Sequence, residues 1–383
     1  MLNSGIYLDY NSTTPALPEV LERMLPYFSH DFGNASSSTH AMGWRAKAAV
    51  DLAREEVATL IGASFEEIIF TSGATESINL AINGAFEVYG KSRNHIVTIA
   101  TEHAAVLETC LKLQVSGAIV TILPVMADGT ISIDALKSVV SERTCMVVAM
   151  MANNETGVVL PIKEIAAVAH EKGGLFFSDT TQAPGKLRFN VEEEDIDLCC
   201  LSAHKFYGPK GVGALYIRKR RPTIKLKAMT LGGGQENGLR SGTLNVPGIV
   251  GMGAAAKIAQ KDWWDDAHRI SVLRTKLEHS LLDLGNVTVN GSTKFRLPNT
   301  SNLCFKNLTA SLLIKEILPL CVATGSACSS GSNAPSHVLT AMGLSVIDAN
   351  SSIRFSLGKQ STEAAINTAI IKIKMAIEKN AGW

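Results

Sequence analysis

The sequence carries almost no surplus charge: 36 Lys and Arg stand against 35 Asp and Glu, a formal net charge of +1. That balance leaves no global electrostatic footprint for a polyanion, so no direct nucleic-acid binding is expected. No apolar run approaches the roughly 18 residues of a membrane span; the run at 146–152 is among the longest. The N-terminus has neither a basic segment nor a long apolar one, so no secretory signal and no membrane partner is expected, and the chain reads as cytoplasmic. Seven cysteines, an odd number with no C-x-x-C pair, do not make a disulfide framework. No H-E-x-x-H occurs among the nine histidines, so no metal is expected. A Walker loop is absent, as is G-x-G-x-x-G where the first strand should meet its helix, and no repeat of 20–50 residues or low-complexity tract is present.

What is there is a globular chain of 383 residues, 46% hydrophobic and 19% charged, long enough for about two domains without disulfides or structural metal. From about residue 45 to 220, short apolar runs alternate with helical patterns, an α/β rhythm that predicts a mostly parallel sheet. Strands are expected at 68–70, 96–99, 120–123, 146–149, 175–177, 198–201 and 214–217, and helices at 44–60 and 162–171. Beyond residue 248 the pattern changes to long helices (249–284, 361–379) with a few strands (287–289, 301–305, 352–355), a smaller α+β domain.

In an open parallel sheet, ligands bind beyond the carboxyl ends of the strands, and those ends are polar here. They read Thr71-Ser72-Gly73-Ala74-Thr75-Glu76-Ser77, Thr101-Glu102-His103, Asn153-Asn154-Glu155, Ser178-Asp179-Thr180-Thr181-Gln182 and Ser202-Ala203-His204-Lys205. Turns favour such residues, so any one end alone says little; five in succession gather a carboxylate, two imidazoles, an amine and several hydroxyls. The segment 71–77 opens a helix with Ser, Gly and Thr, where backbone amides and the Thr75 hydroxyl suit a phosphate. Lys205, after an apolar strand, is a candidate imine-forming amine, since partial desolvation frees its lone pair. Asp179, ending another apolar strand, supplies the acid that a pyridinium nitrogen needs, so the set fits pyridoxal phosphate. His103 suits stacking on an aromatic ring, or a helix cap.

Cys145, Cys199 and Cys200 lie in apolar runs as small hydrophobes. Cys321 reads as structural. Cys328 differs, because Gly325-Ser326-Ala327-Cys328-Ser329-Ser330-Gly331 has almost no apolar anchor and suits a thiol that approaches an intermediate and carries product outward. Arg354, between Ile353 and Phe355, either faces solvent or holds an anionic substrate group with its planar fork.

Together with Tyr7-Leu8-Asp9, Thr13-Thr14-Pro15, Phe32-Gly33-Asn34, the glycine-rich stretch 208–213, Gly232-Gly233-Gly234-Gln235-Glu236, Arg240-Ser241-Gly242-Thr243 and the segment 352–358, these blocks resemble the cysteine desulfurases of the class V aminotransferase group, of the NifS/IscS type. The blocks span nearly the whole chain in order.

The resemblance implies a fold-type I enzyme that uses pyridoxal 5'-phosphate, a homodimer converting L-cysteine to L-alanine and an enzyme-bound persulfide. It implies a large cofactor-binding domain at 14–255 and a small domain from 1–13 and 256–383 that carries the Cys328 loop. By motif, Lys205 would hold the cofactor as an imine, Asp179 would pair with the ring nitrogen, Gln182 and Asn154 would lie at the ring hydroxyl, and His103 would stack on the ring and assist proton transfer. Ala74, Thr75, Ser202 and His204 would hold the phosphate, with Thr243 added from the partner subunit. Arg354, with Asn34 and Asn154, would bind the substrate, and Cys328 would take its sulfur for a sulfur-acceptor protein serving iron–sulfur cluster assembly, tRNA thiolation or DNA phosphorothioation. Selenocysteine lyase or other aminotransferase activity on the same fold, and a non-enzymatic partner-binding member, are the alternatives. A true aminotransferase needs no loop thiol, and a pure binding role needs no Lys205, Asp179 and His103 set. Two positions depart from the pattern: Ala35 stands where proline is usual, and the last expected helix lies close to Trp383, where iron–sulfur desulfurases of this type often carry a longer tail.

Overall fold

The structure is a computed structural model that describes residues 5–220, 223–325 and 334–380. Cys328 lies outside the described residues. The expected strands form within a residue or two of their predicted ends: β1 (Ile68–Thr71), β2 (His95–Ile99), β3 (Ile119–Leu123), β4 (Thr144–Val148), β5 (Leu175–Asp179), β6 (Leu198–Ser202) and β7 (Gly213–Ile217). They build one seven-stranded sheet in the order β1-β7-β6-β5-β4-β2-β3. Four neighbouring pairs are parallel, and β7 runs antiparallel to both β1 and β6. The link from β6 to β7 is too short for a crossover, which takes a dozen or more residues, so the chain reverses there.

Alternation along each strand divides its side chains between two apolar layers. Phe70, Val97, Val147, Phe176 and Leu201 join the core under the helices Ala41–Ile61 and Ile162–Glu171. Ile69, Ile96, Met146, Phe177 and Cys200 join the core under Ala74–Tyr89 and Ala104–Leu113. With both faces covered, β4, β5 and β6 are almost wholly buried, and the sheet's free chemistry is confined to its strand ends.

A second, antiparallel sheet follows, β10-β9-β8, from β8 (Val287–Val289), β9 (Thr300–Phe305) and β10 (Ser352–Ser356). It packs with the helix Glu363–Lys379 on a separate core. The helix Val246–Leu282 serves both parts: Ile249 to Ala259 lie in the first core, and Ile270, Leu273, Leu277 and Leu281 in the second. The chain's beginning is stitched to this second part, with Tyr7 bridging Cys321 and Asp9 bridging Ser356. The segment 9–14 therefore crosses from the small sheet to the strand ends of the large one, and Thr14 donates its backbone amide to the His204 carbonyl.

Candidate active site

At the carboxyl ends of β1, β5 and β6 lies a cleft of about 370 Å³. Its floor starts at the turn after β1. Gly73, with φ +154°, opens the helix Ala74–Tyr89, a backbone angle that side chains resist. Opposite, Gly213 comes so close that a Cβ there would stand 2.6 Å from the Gly73 Cα and 2.5 Å from the Leu201 carbonyl oxygen. Two glycines thus let the helix N-terminus meet Ser202, and Ser72, Gly73, Ala74, Thr75, Ser202 and His204 all line the cleft.

Lys205 sits in the single turn Ala203–Lys205 after β6, and its Nζ donates to the carbonyls of Asn11 (2.8 Å) and Ser12 (2.7 Å). Asp179 ends β5, 6% exposed, and its Oδ1 accepts from the Thr181 amide (2.9 Å) and the Cys200 thiol (3.2 Å). Burial and the Asp179 charge push the Cys200 thiol well up, so it stays a donor. His103 caps the helix Ala104–Leu113, its Nδ1 accepting from the Ala105 amide at 3.1 Å, which leaves the proton of the neutral ring on Nε2. His204 is driven down to about 4 by burial and then by the charges of Lys205, Lys210 and Lys186. It is neutral at physiological pH, in a region where three lysine side chains act on one imidazole.

Arg354, on β10, is 2% exposed yet lines the cleft. Its guanidinium donates to the Asn154 carbonyl (2.9 Å), Asp9 Oδ1 (2.5 Å) and Ser12 Oγ (2.7 Å), while its buried Nε has no acceptor among the described residues. The solvent-facing alternative for this arginine is thereby overturned: β10 is buried on both faces, so an alternating strand turns no side chain to solvent.

The structure therefore gathers Lys205, Asp179, Gln182, His103, Ala74, Thr75, Asn154, Ser202, His204 and Arg354 around one cleft. It does not bring Asn34 or Thr243 there. Both are exposed, and the Asn34 Oδ1 is taken by the Ser36 amide at 2.9 Å. Cys321, expected to be structural, is exposed; it meets the chain through backbone pairing with Tyr7, and its thiol stays outside the core.

Three residues that sequence reasoning gave no role matter here. Asn11, 1% exposed, donates to the Asn154 carbonyl and Thr300 Oγ1, accepts from Asn299, and offers its own carbonyl to Lys205 and Gln182. The only signal for it was the polar run from Asp9 to Thr14. Glu102, fully buried, accepts the Met150 amide at 2.6 Å, and burial holds its carboxyl well above the usual range. Lys186 is the third, its Nζ donating to Gln182 Oε1.

Among the described residues no His, Cys, Asp and Glu cluster suits a metal, and no helix is long and apolar enough to cross a membrane. The residues present do fit a phosphorylated aromatic cofactor: a helix N-terminus opened by glycine, a cationic surround, an amine on one wall and a carboxylate on another.

An α/β sheet with a cleft so lined at its strand ends fits the class of pyridoxal phosphate enzymes of the fold-type I kind. The model of the family "Aminotransferase class-V" matches residues 6–368, and the chain belongs to that family. Within it the chain is a cysteine desulfurase, an enzyme that takes sulfur from L-cysteine with the help of pyridoxal phosphate. It is 50% identical over 377 residues to the cysteine desulfurase IscS of Anaeromyxobacter sp. (strain Fw109-5), covering 98% of this chain and 92% of that one. A solved NifS-like protein superposes with a TM-score of 0.91 at 38% identity, covering 97% of this chain and 99% of the other. SspA, solved in complex with cysteine, superposes with a TM-score of 0.82 at 37% identity over 93% of this chain and 99% of its own.

Proposed function

We propose that this desulfurase passes sulfur through Cys328, working as a homodimer, with the large domain at 14–255 and the small one at 1–13 and 256–383. The observation that carries the reading is the convergence of Lys205, Asp179, His103 and Arg354 on one cleft of about 370 Å³. Ala74, Thr75, Ser202 and His204 hold the phosphate, with Thr243 reaching the partner's site from its exposed position; Asp179 takes the ring nitrogen, and Gln182 and Asn154 lie at the ring hydroxyl. When bound, pyridoxal phosphate supplies an electron sink for bonds broken at the substrate's carbons.

The rest falls to the chain's own groups. Arg354 takes the substrate carboxylate on the one Nη1 hydrogen its protein partners leave over, and Asn34 joins it only by approach from outside this chain's cleft. Lys205 moves the α-proton, released from the Asn11 and Ser12 carbonyls to do so. His103, which lines the cleft with its ring fixed through Nδ1, exchanges protons with the sulfur and the amine. The Cys328 thiolate attacks the substrate sulfur; the Cβ–S bond breaks, an S–S bond forms, and the electron pair left on Cβ takes up a proton, giving alanine and a persulfide. A sulfur-acceptor protein then collects that sulfur for cluster assembly, tRNA thiolation or DNA phosphorothioation. SspA, solved with cysteine, supports cysteine as the ligand of such a cleft.

The test compares Cys328→Ala with Lys205→Ala. The first keeps the yellow cofactor and its colour change with cysteine but loses persulfide, and the second loses turnover. Sulfide release by Cys328→Ala at the wild-type rate overturns the relay.

A further inference from the structure

Lys186 has no part in the roles above. It lies four residues beyond Gln182, past the Ala183-Pro184-Gly185 turn, and its Nζ donates to Gln182 Oε1 at 2.5 Å and reaches Asn11 Oδ1 at 3.4 Å. The residue as a whole is half-buried, but its ammonium is enclosed, and with Lys205, Tyr10, Asn299 and Leu357 it lines a small space whose one carboxylate among the lining residues, Asp266, pairs with Lys359. Among the described residues it makes no ion pair with a carboxylate. An enclosed cation without an acid partner is costly, and a structural lysine would be expected to carry one. Burial lowers its affinity for a proton far below that of an ordinary lysine, with Lys205 and Arg354 adding repulsion. In either protonation state, however, Nζ keeps at least two hydrogens to donate.

What it donates to is informative. An amide has one accepting end and one donating end. With Oε1 occupied by Lys186, the Gln182 amide turns Nε2 toward the Asn11 carbonyl at 3.0 Å, the same carbonyl that accepts from Lys205 at 2.8 Å. One Nε2 hydrogen is spent there. The second remains for the cleft, which Gln182 lines. Asn11 is held from the other side by Asn299 and by Thr300 and Ser356, so Lys186 closes a ring of contacts around the lysine's perch.

We infer that Lys186 is a positioning residue: its Nζ locks the Gln182 amide with a donor facing the cleft, where it meets an anionic oxygen on the aromatic ring of the bound cofactor. The inference rests on the reading of Gln182 as the partner of the ring hydroxyl, and the test separates the two. Protein stripped of cofactor is titrated with pyridoxal phosphate for Lys186→Met, Lys186→Arg, Gln182→Ala and the double variant Lys186→Met/Gln182→Ala. The dissociation constant and the absorption maximum of the bound cofactor are recorded, with far-UV circular dichroism to confirm folding.

Lys186→Met should weaken binding about tenfold and shift the absorption maximum. Lys186→Arg, which keeps a donor, should restore the maximum. In the Gln182→Ala background the Lys186→Met change should add less than about twofold. Additive losses, or a Lys186→Met protein with wild-type affinity and spectrum beside an impaired Gln182→Ala, overturn the role of Lys186. A Gln182→Ala protein with unchanged affinity and spectrum overturns the reading of Gln182 itself, and the inference with it. If Lys186→Met does not fold, failure of Lys186→Arg to keep the wild-type maximum contradicts the proposal on its own.

Discussion

Arg354→Lys keeps a positive charge at the cleft and so isolates what the guanidinium's shape contributes. A guanidinium has five N–H donors. Three are committed, to Asn154, Asp9 and Ser12; the Nε hydrogen is buried and diverges from the remaining Nη1 hydrogen, which leaves one donor for a substrate carboxylate. A lysine has three donors, all needed by the same three acceptors. It can hold the frame or the substrate, but not both. A hydrogen bond to a charged group contributes about 1.5–3 kcal/mol, so losing one gives an upper bound of about 3 kcal/mol, reduced by the Coulomb attraction that the ammonium retains. A loss of about 1.5–3 kcal/mol in cysteine binding is expected, or roughly 10- to 150-fold. The assay is alanine formation against cysteine concentration, with a spectral titration of cysteine binding so that KM is not mistaken for affinity. Affinity for pyridoxal phosphate should change little. Cysteine affinity within about threefold of wild type would refute the assignment of Arg354 to the substrate carboxylate.

Glu102→Gln tests whether the buried carboxyl is a proton-bearing group. Because its folded pKa is raised, it contributes stability that is full below the unfolded value near 4.3 and is lost as pH rises toward the folded one, at about 1.4 kcal/mol per unit. Urea unfolding of the cofactor-free protein should therefore find the variant within about 1 kcal/mol of wild type at pH 5 and more stable at pH 8; a variant less stable at pH 8 would mean that an ionised Glu102 is needed. Gly213→Ala puts a methyl 2.5 Å from the Leu201 oxygen and 2.6 Å from the Gly73 Cα, both backbone, so overpacking of about 1–3 kcal/mol or more is expected. A melting temperature several degrees lower, with weakened pyridoxal phosphate binding, is the expected result, and an unchanged pair of values would show that the β1 turn does not need this close approach.

The central strands were legible because each is buried on both faces, and such strands must be apolar runs of the right length. Their ends were legible because a covered parallel sheet leaves only those ends for chemistry. The residues missed are held together by distant pairing. Asn11 meets Asn299, Thr300 and Ser356, partners 288 to 345 positions away, so nothing near it in the chain announces its role. Lys186 looked like any turn lysine, since only the fold shows that its ammonium points inward at Gln182. Arg354 stood between apolar neighbours, and alternation alone left its direction open; the burial of β10 decided it. Cys321 was misjudged from its apolar neighbours, because backbone bridges from Cys321 to Tyr7 and from Ala323 to Arg354 place the segment while leaving the thiol exposed.

That exposure sharpens the most direct test. The protein, loaded with pyridoxal phosphate and given L-cysteine without an acceptor, is quenched with an alkylating agent, digested and analysed by mass spectrometry while alanine is quantified. The account predicts one extra sulfur on the peptide that contains Cys328, none on Cys321 or on the five buried cysteines, and about one alanine per persulfide in the first turnover. Persulfide on Cys321 instead, or alanine formed with no sulfur retained on Cys328, would contradict it.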